Sequence, residues 1–445
     1  MNRVLIVSHD VVEERMAGPA IRCWEMARSL EREFPTTLAV PNQTSFQGER
    51  FDLITYNAER LRQLSKQADL VVVSGCLLLL HPFLKSSGVP LVVDLYDPFH
   101  LENLQLLAGE EMAERLRDHD GLLGALRDQV EAGDFFLCAS ERQRDFWLGL
   151  LSAWNRINPY TYSDDPSFRR LIDVVPYGLP EKPPQHTQRV LKDVHPGIKT
   201  GDQVILWNGG IYDWLDPLTA IKSVAEVHHT HPQIRLFFMG TRHPNPLVSS
   251  MQMVDRAVAL AEELGLKDRV VFFNDWVPYA ERGNYLLEAD IGLSLHLDHL
   301  ETRFAFRTRL LDCIWAGLPM VVTGGDTLAD TVREYSLGHV VQVGNVAEVA
   351  HTLEVLLDDL QTRANRADGF HAAAAQFRWE QALRPLIAFA RAPRRAADRD
   401  RMTAPPRSLT GKIRAAWRRG GPRQLSREIR QYLRWLTRHS EGWPR

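Results

Sequence analysis

Cysteine is scarce, four in 445 residues, and this excludes a fold stapled by disulfides. Cys23, Cys76, Cys138 and Cys313 lie far apart with no paired ligand spacing, and Cys76 and Cys138 sit in apolar runs. They read as buried thiols of a reducing compartment, neither bridges nor a metal site. Long hydrophobic runs are also missing. The longest, Leu70 to Leu80, falls well short of the ~20 apolar residues needed to span a bilayer. The opening MNRVLIVSHD has one basic residue and passes directly into a strand pattern, unlike a secretory signal. A cytoplasmic protein is expected, soluble or peripheral on the inner face of the cell membrane. No nucleic-acid-binding module accompanies the basic residues, so nucleic acid is not an expected partner.

What is present suffices for two cores: 44% of the residues are hydrophobic and 24% charged. The net charge of −3 hides an asymmetry. From Arg391 onward there are 16 Lys/Arg against 4 Asp/Glu, and before it 37 against 52. In the basic tail, Leu425, Ile429, Leu433 and Leu436, with Tyr432 and Trp435, recur at helical spacing between arginines. An amphipathic basic helix of this kind suits an anionic membrane surface; a solvated, featureless tail is the alternative.

The first half alternates apolar strands with helical segments. VLIVS, TTLAV, DLITY, LVVVSG, LVVDLY, FFLCAS and IDVVPYG, between Val4 and Gly178, are the strand candidates. This is the pattern of a doubly wound parallel sheet, whose ligands bind beyond the carboxyl ends of the strands. After the first strand come His9, Asp10 and the turn Ala17-Gly18-Pro19, where Gly18 lets the backbone approach a ligand or simply makes a turn. After the fifth come Asp94, Asp97 and His100. Carboxylates and an imidazole there can position hydroxyls or move a proton. Asp97 also suits a helix cap ahead of Pro98, which leaves Asp94 as the better ligand. His100 reads equally as a surface helix residue or an acceptor contact.

Residues 181–200, rich in proline and charge, read as a linker, after which the alternation restarts with QVILWNGG, IRLFFMG, RVVFFND, DIGLSLH, MVVTGG and HVVQVG. The expected organisation is α/β: a first domain over 1–180, a second over 201–390 and a basic helical tail over 391–445. Three turns at one sheet edge, Asn208-Gly209-Gly210, Gly240-Thr241-Arg242 and Asn274-Asp275-Trp276, argue for a cleft. The most informative stretch is HLDHLETRFAFRTRLLDCIWAGLPMVVTGGD. Glu301, Arg303, Arg307 and Arg309 open it, a helix follows, and Gly317-Leu318-Pro319 stops that helix before a buried strand. A loop with arginines running into a helix N-terminus is a cradle for a pyrophosphate, and Asp312, one turn inside, is placed to hold a ribose hydroxyl.

The order IDVVPYGLP, a Gly-rich turn after a strand, RLFFMG, WVPYAERGNYLLEADIGLSL, LLDCIWAGLPMVVTGGD and FRWEQAL resembles the retaining glycosyltransferases of family 4. GPAIRCWEMA, DLYDPFHLENL, NGGIYDWLDP and ETRFAFRTRLLD are most similar to members from cell-surface polysaccharide and lipopolysaccharide assembly. The resemblance implies the GT-B fold, two Rossmann-like domains facing a central cleft. It also implies transfer from a nucleotide diphospho-sugar to a glycan or lipid-linked acceptor, with no metal and no cofactor. Donor contacts are then expected from Gly209, Gly210, Arg242, Trp276, Arg303, Phe306, Thr308, Arg309 and Asp312, with Gly18, Asp97 and His100 on the acceptor or phosphate approach. Asp312 matches the second glutamate of the family signature. The first falls on Phe304, and Glu301, three residues earlier, is the expected substitute. The basic pair that follows the second domain's first strand in the family is also missing from NGGIYDWLDP. A developing diphosphate needs cationic or N–H stabilisation, for which Arg307 is the first choice. Arg307, Glu301 and Asp94 are therefore the expected catalytic residues, while Asp213 and Asp216 either bind sugar hydroxyls or cap a helix. Two other readings stand beside transfer: another nucleotide-sugar reaction such as epimerisation, and a catalytically silent scaffold docking on a membrane assembly.

Overall fold

The computed structural model describes residues 1–248, 250–359, 366–399 and 401, and scattered positions between 413 and 430. All seven strand candidates of the first half form: β1 (Val4–Val7), β2 (Thr36–Val40), β3 (Asp52–Thr55), β4 (Leu70–Ser74), β5 (Leu91–Asp94), β6 (Phe135–Cys138) and β7 (Ile172–Val174). They make one parallel sheet in the order β3-β2-β1-β4-β5-β6-β7. Helices cover both faces, which is why the strands read as continuous apolar runs; β1, β5 and β6 are buried at every residue.

The second half repeats the plan. Strands β8 (Gln203–Gly210), β9 (Ile234–Gly240), β10 (Val271–Phe273), β11 (Ile291–Ser294), β12 (Met320–Thr323) and β13 (Gly338–Val341) make a parallel sheet in the order β10-β9-β8-β11-β12-β13. Strand order reverses at β1/β4 in one sheet and at β8/β11 in the other, and such switch points open crevices at the carboxyl ends. Several strands stop short of their apolar runs. β5 ends at Asp94 and not Tyr96, and β7 at Val174 and not Gly178, because the residues beyond leave the sheet to build the crevice.

The chain crosses between the domains twice, side by side. Leu179 N donates to the Phe377 carbonyl at 2.6 Å and Trp379 N to the Leu179 carbonyl at 3.1 Å. The stretch expected as a linker is fastened to the second domain, where the Glu288 carboxylate accepts from the backbone N–H groups of Val190, Leu191 and Lys192 at 2.8–2.9 Å. The return crossing comes before the domain end expected at 390. Helix Arg384–Arg391 lies on the first domain, with Phe389 stacked on Phe135 at 4.7 Å and Ala390 O accepting from Asn2 Nδ2 at 2.9 Å. Beyond it Asp398, 1% exposed, accepts from Arg156 at 2.8 and 3.1 Å and from Asn158 at 3.0 Å. The first residues of the expected tail are thus part of the first domain's wall. Tyr432, Leu433, Trp435 and Leu436 lie outside the described residues. Among the described residues no helix is long and apolar enough to cross a membrane.

Candidate functional site

Two cavities lie where the carboxyl edges of the sheets face each other. The first, about 130 Å³, is walled by Gly18 and Tyr177 of the first domain and by Asn208, Gly209, Gly210, Trp276, Tyr279, Arg282 and Asp312 of the second. The second, about 350 Å³, is walled by His9, Asp10, Asp97 and Glu102 on one side and Trp214, His243, Glu301, Phe306 and Arg307 on the other. Gly18, Tyr212, Thr308 and Arg309 line both cavities, so the two are compartments of one cleft.

The first compartment centres on Arg309. β8 holds Gly209, one residue before its end, at φ 100°, a backbone conformation that an L side chain rarely adopts. Only the Arg309 guanidinium would meet a Cβ there, at 3.7 Å. Arg309 Nη2 donates to Gly210 O at 2.7 Å, its guanidinium lies over the Trp207 ring, and its backbone carbonyl accepts from Asn208 Nδ2 at 2.6 Å. Nη1 is buried without a partner. Burial lowers the Arg309 pKa to about 10, so it is still a cation at neutral pH. The guanidinium therefore fills the place beside the Gly-rich turn where the sequence lacks a basic residue, but from a different element. The helix Thr308–Ala316 opens here, and its cap residue Arg307 supplies no side-chain acceptor, so the positive end of the helix faces the cleft. One turn in, Asp312 receives Arg282 Nε at 3.3 Å; burial raises the Asp312 pKa, and Arg282 opposes that. Gly210 and Gly240 let the Trp276 ring lie against the backbone, and Trp276 Nε1 donates to Met16 O at 3.2 Å across the cleft.

The second compartment is acidic. Glu301, 2% exposed, accepts from Arg307 Nη2 at 2.5 Å through Oε2, while its Oε1 and Arg307 Nε are buried without partners. Asp97 and Glu102 line the same wall; burial pushes Asp97 up to about 6 and Glu102 well above the carboxylate range, with Glu301 adding to both shifts and Arg307 opposing them. Asp10 Oδ1 receives Asn245 Nδ2 at 2.8 Å across the cleft, and His9 Nδ1 lies 3.0 Å from Ser74 Oγ. Burial lowers the pKa of both His9 and His243.

Several expected residues take other places. Asp94 is not at the cleft surface. It is held by Arg22 Nε and Nη2 at 2.6 and 3.0 Å, and Arg22 also donates to the Val175 and Pro176 carbonyls, tying the helix Gly18–Leu30 to β5 and the residues after β7. His100 packs behind the wall, stacked on Phe146 at 5.9 Å, and burial lowers its pKa to about 4. Asp97 does not cap the following helix, whose N-cap is Pro98 without a side-chain bond. Arg303 is exposed beside its own neighbour Phe304, and Arg242 is 82% exposed, 4.0 Å from Asp275, on the rim of a separate surface groove. Phe304 packs on Phe146 at 4.5 Å while its carbonyl accepts from Gln143 Nε2 at 2.8 Å, so this position closes the domains together. Asp216 and Asp213 bond backbone N–H groups, Asp216 as the cap of helix Pro217–Val227 and Asp213 at Met253 N. Arg282, Tyr279, Tyr212 and Glu102 were not legible as site residues. Each is one polar or aromatic residue in an ordinary helical or loop pattern, brought to the cleft only by the packing of the domains.

Residues 192–369 match the family described as glycosyl transferases group 1. Curated relatives include a D-inositol 3-phosphate glycosyltransferase of Nocardia farcinica, 24% identical over 221 residues, covering 49% of this chain and 47% of that one. Another, of Acidothermus cellulolyticus, is 27% identical over 213 residues, covering 47% and 46%. The chain spans about half the length of the curated relatives it matches. Among solved structures it is similar to sucrose-phosphate synthase of Thermosynechococcus elongatus, with a TM-score of 0.63 at 15% identity over 88% of this chain and 98% of that one. It is also similar to WaaG, a glycosyltransferase involved in lipopolysaccharide biosynthesis, at 0.59 and 16% over 89% and 98%. Anabaena HepE, solved with UDP and glucose, gives 0.62 and 14% over 88% and 100%. With this fold, this cleft and the match over residues 192–369, the chain has the two-domain GT-B architecture, and its second half is similar to the glycosyl transferases group 1.

Proposed function

We propose that the protein is a glycosyltransferase, retaining and metal-independent, that moves a sugar from a nucleotide diphospho-sugar to a glycan or lipid-linked saccharide in cell-surface polysaccharide assembly. The observation that carries this is the buried Arg309 guanidinium, one nitrogen unpartnered, beside Gly209 and the N-terminus of helix Thr308–Ala316. A dianionic leaving group developing there would meet a fixed cation and helix N–H groups in a site shielded from water. Asp312 and Arg282 suit the ribose, Tyr177, Trp276 and Tyr279 the base side, and the second compartment the reacting sugar and acceptor. That HepE was solved with UDP and glucose supports a nucleotide-sugar donor. Retention rests on the family resemblance; the charge of Arg309 supports a reaction that needs no metal at the diphosphate. Binding of the segment after Arg391 to an anionic membrane is part of the proposal, and the exposed Ile413, Trp417 and Ile429 among its described residues support it.

The test is thermal unfolding of the protein with UDP, GDP, dTDP, CDP and ADP, followed by product analysis with the sugars of the nucleotide that stabilises. At about a hundred-fold over Kd a native-state ligand adds roughly 2.7 kcal/mol. A shift with one nucleotide, abolished by Arg309→Ala, is expected; no shift with any would favour the silent scaffold.

A further inference from the structure

The second compartment is crowded with carboxylates in a way that a neutral sugar does not require. Asp97 and Glu102 line one wall of the cavity, and Glu301 lines it from the second domain with Arg307 attached. Burial disfavours charge on Asp97 and Glu102, so the pair keeps a proton. Glu301 Oε1 adds a separate observation. It belongs to a side chain 2% exposed that lines the cavity, and it accepts no hydrogen bond. A buried carboxylate oxygen left unpaired is costly, and a ligand donor removes that cost. The only cation bonded within the compartment, among the described residues, is Arg307, already spent on Glu301, since Arg309 turns to Gly210 and the donor side.

Resting on the glycosyltransferase reading, the geometry points to a primary amine on the sugar that enters this chamber, seated as an ammonium between Asp97 and Glu102 with Glu301 Oε1 accepting from the same sugar. An ammonium takes the place of the retained proton, which leaves Glu102 for solvent, and the pair becomes two carboxylates on one cation while Arg307 stays with Glu301. A phosphate is disfavoured in the same place, because it would face Asp97, Glu102 and Glu301 together. The groups that face the pair are Tyr96 and the Arg22-bound Asp94 from the first domain and Tyr212, Glu301 and Arg307 from the second.

The experiment uses the full chain with UDP present. Affinities of glucosamine, galactosamine and mannosamine are compared with those of the parent hexoses, their N-acetyl forms and glucose 6-phosphate. At least one amine is expected to bind about ten-fold tighter than its parent hexose and N-acetyl form. That preference falls to near unity in Glu102→Gln, whose amide mimics the protonated acid and whose thermal unfolding checks the fold. In the unaltered protein the preference fades as pH falls below about 6, where Asp97 gains its proton. A parallel comparison of UDP-glucosamine with UDP-glucose separates an amine on the acceptor from one on the transferred sugar; preference in either arm supports the proposal. Equal binding of amine and hexose in both arms, a preference surviving Glu102→Gln, or tighter binding of glucose 6-phosphate would overturn it. UDP stabilisation of the protein reads out the donor site independently, so the two readings fail separately.

Discussion

Two buried arginine–carboxylate pairs lie about the cleft, and they are built differently. Arg22 and Asp94 meet through two bonds, at 2.6 and 3.0 Å, and Arg22 spends its other donors on the Val175 and Pro176 carbonyls. Arg307 and Glu301 meet at 2.5 Å and leave Arg307 Nε and Glu301 Oε1 buried without partners, in side chains that line the cavity. A buried ion pair repays its desolvation only when its remaining hydrogen-bonding capacity is also met. The first pair meets it within the protein and acts as a strut between a helix and two strands. The second leaves it open to whatever occupies the chamber. Completeness of bonding, more than burial or charge, separates the structural pair from the functional one.

Arg22→Ala breaks the strut and leaves Asp94 buried and uncompensated, so a loss of about 3–5 kcal/mol of stability is expected in denaturant unfolding. A cost under about 1 kcal/mol would mean that Asp94 is reached by water. Arg309→Ala is expected to lower turnover by about 10²–10³-fold, the size of one lost oxyanion donor, with little change in unfolding midpoint. Should Arg307→Ala cost more turnover than Arg309→Ala at matched stability, the diphosphate role would pass to Arg307. Glu301→Gln keeps the shape of the open pair and should shift stability by no more than about 1 kcal/mol, while raising KM for the sugar that its free oxygen serves; an unchanged KM and kcat would place Glu301 with the struts. The Asp97 pKa, raised to about 6 by burial and by the charges of Glu301 and Asp94, sets a sign. The folded state holds this proton more tightly than the unfolded chain. Asp97 therefore contributes stability below about 4, and that contribution is lost as pH rises to about 6. Relative to the unaltered protein, Asp97→Asn should gain stability across that window and hold the gain above it; a gain on the acid side would reverse the assignment. Arg303→Ala and Arg242→Ala, both exposed, should move stability by no more than about 0.5 kcal/mol and leave nucleotide binding intact.

The fold was readable because parallel strands covered on both faces are mostly apolar runs, and those runs marked all thirteen strands of the described residues. Where the reading overran, at Tyr96 or Tyr177, the residue stays apolar in character but has left the sheet to line the cleft. The donor side was partly legible, since Gly209, Gly210, Thr308, Arg309 and Asp312 follow from a turn and a helix start that are local in sequence. Asp94 misled because its partner Arg22 is 72 residues away. Arg307 and Arg309, close in sequence, differ in direction. Arg307 caps the helix and turns to Glu301, while Arg309, two residues on, turns to the opposite side and reaches Gly210. Glu102 and Arg282 had no local signature, because the meeting of elements distant in sequence gives them their neighbours.

The double crossing at Leu179 and Trp379 bears on how the chain is made. The second sheet and its helices lie in one uninterrupted stretch of sequence, from β8 to β13 and beyond, and can settle as soon as that stretch has been synthesised. The first domain cannot finish so early. Its wall needs Phe389 against Phe135 and Asp398 against Arg156, which arrive more than two hundred residues after the partners they meet. The domain begun first is thus completed last, and until then its apolar face at Phe135 waits uncovered.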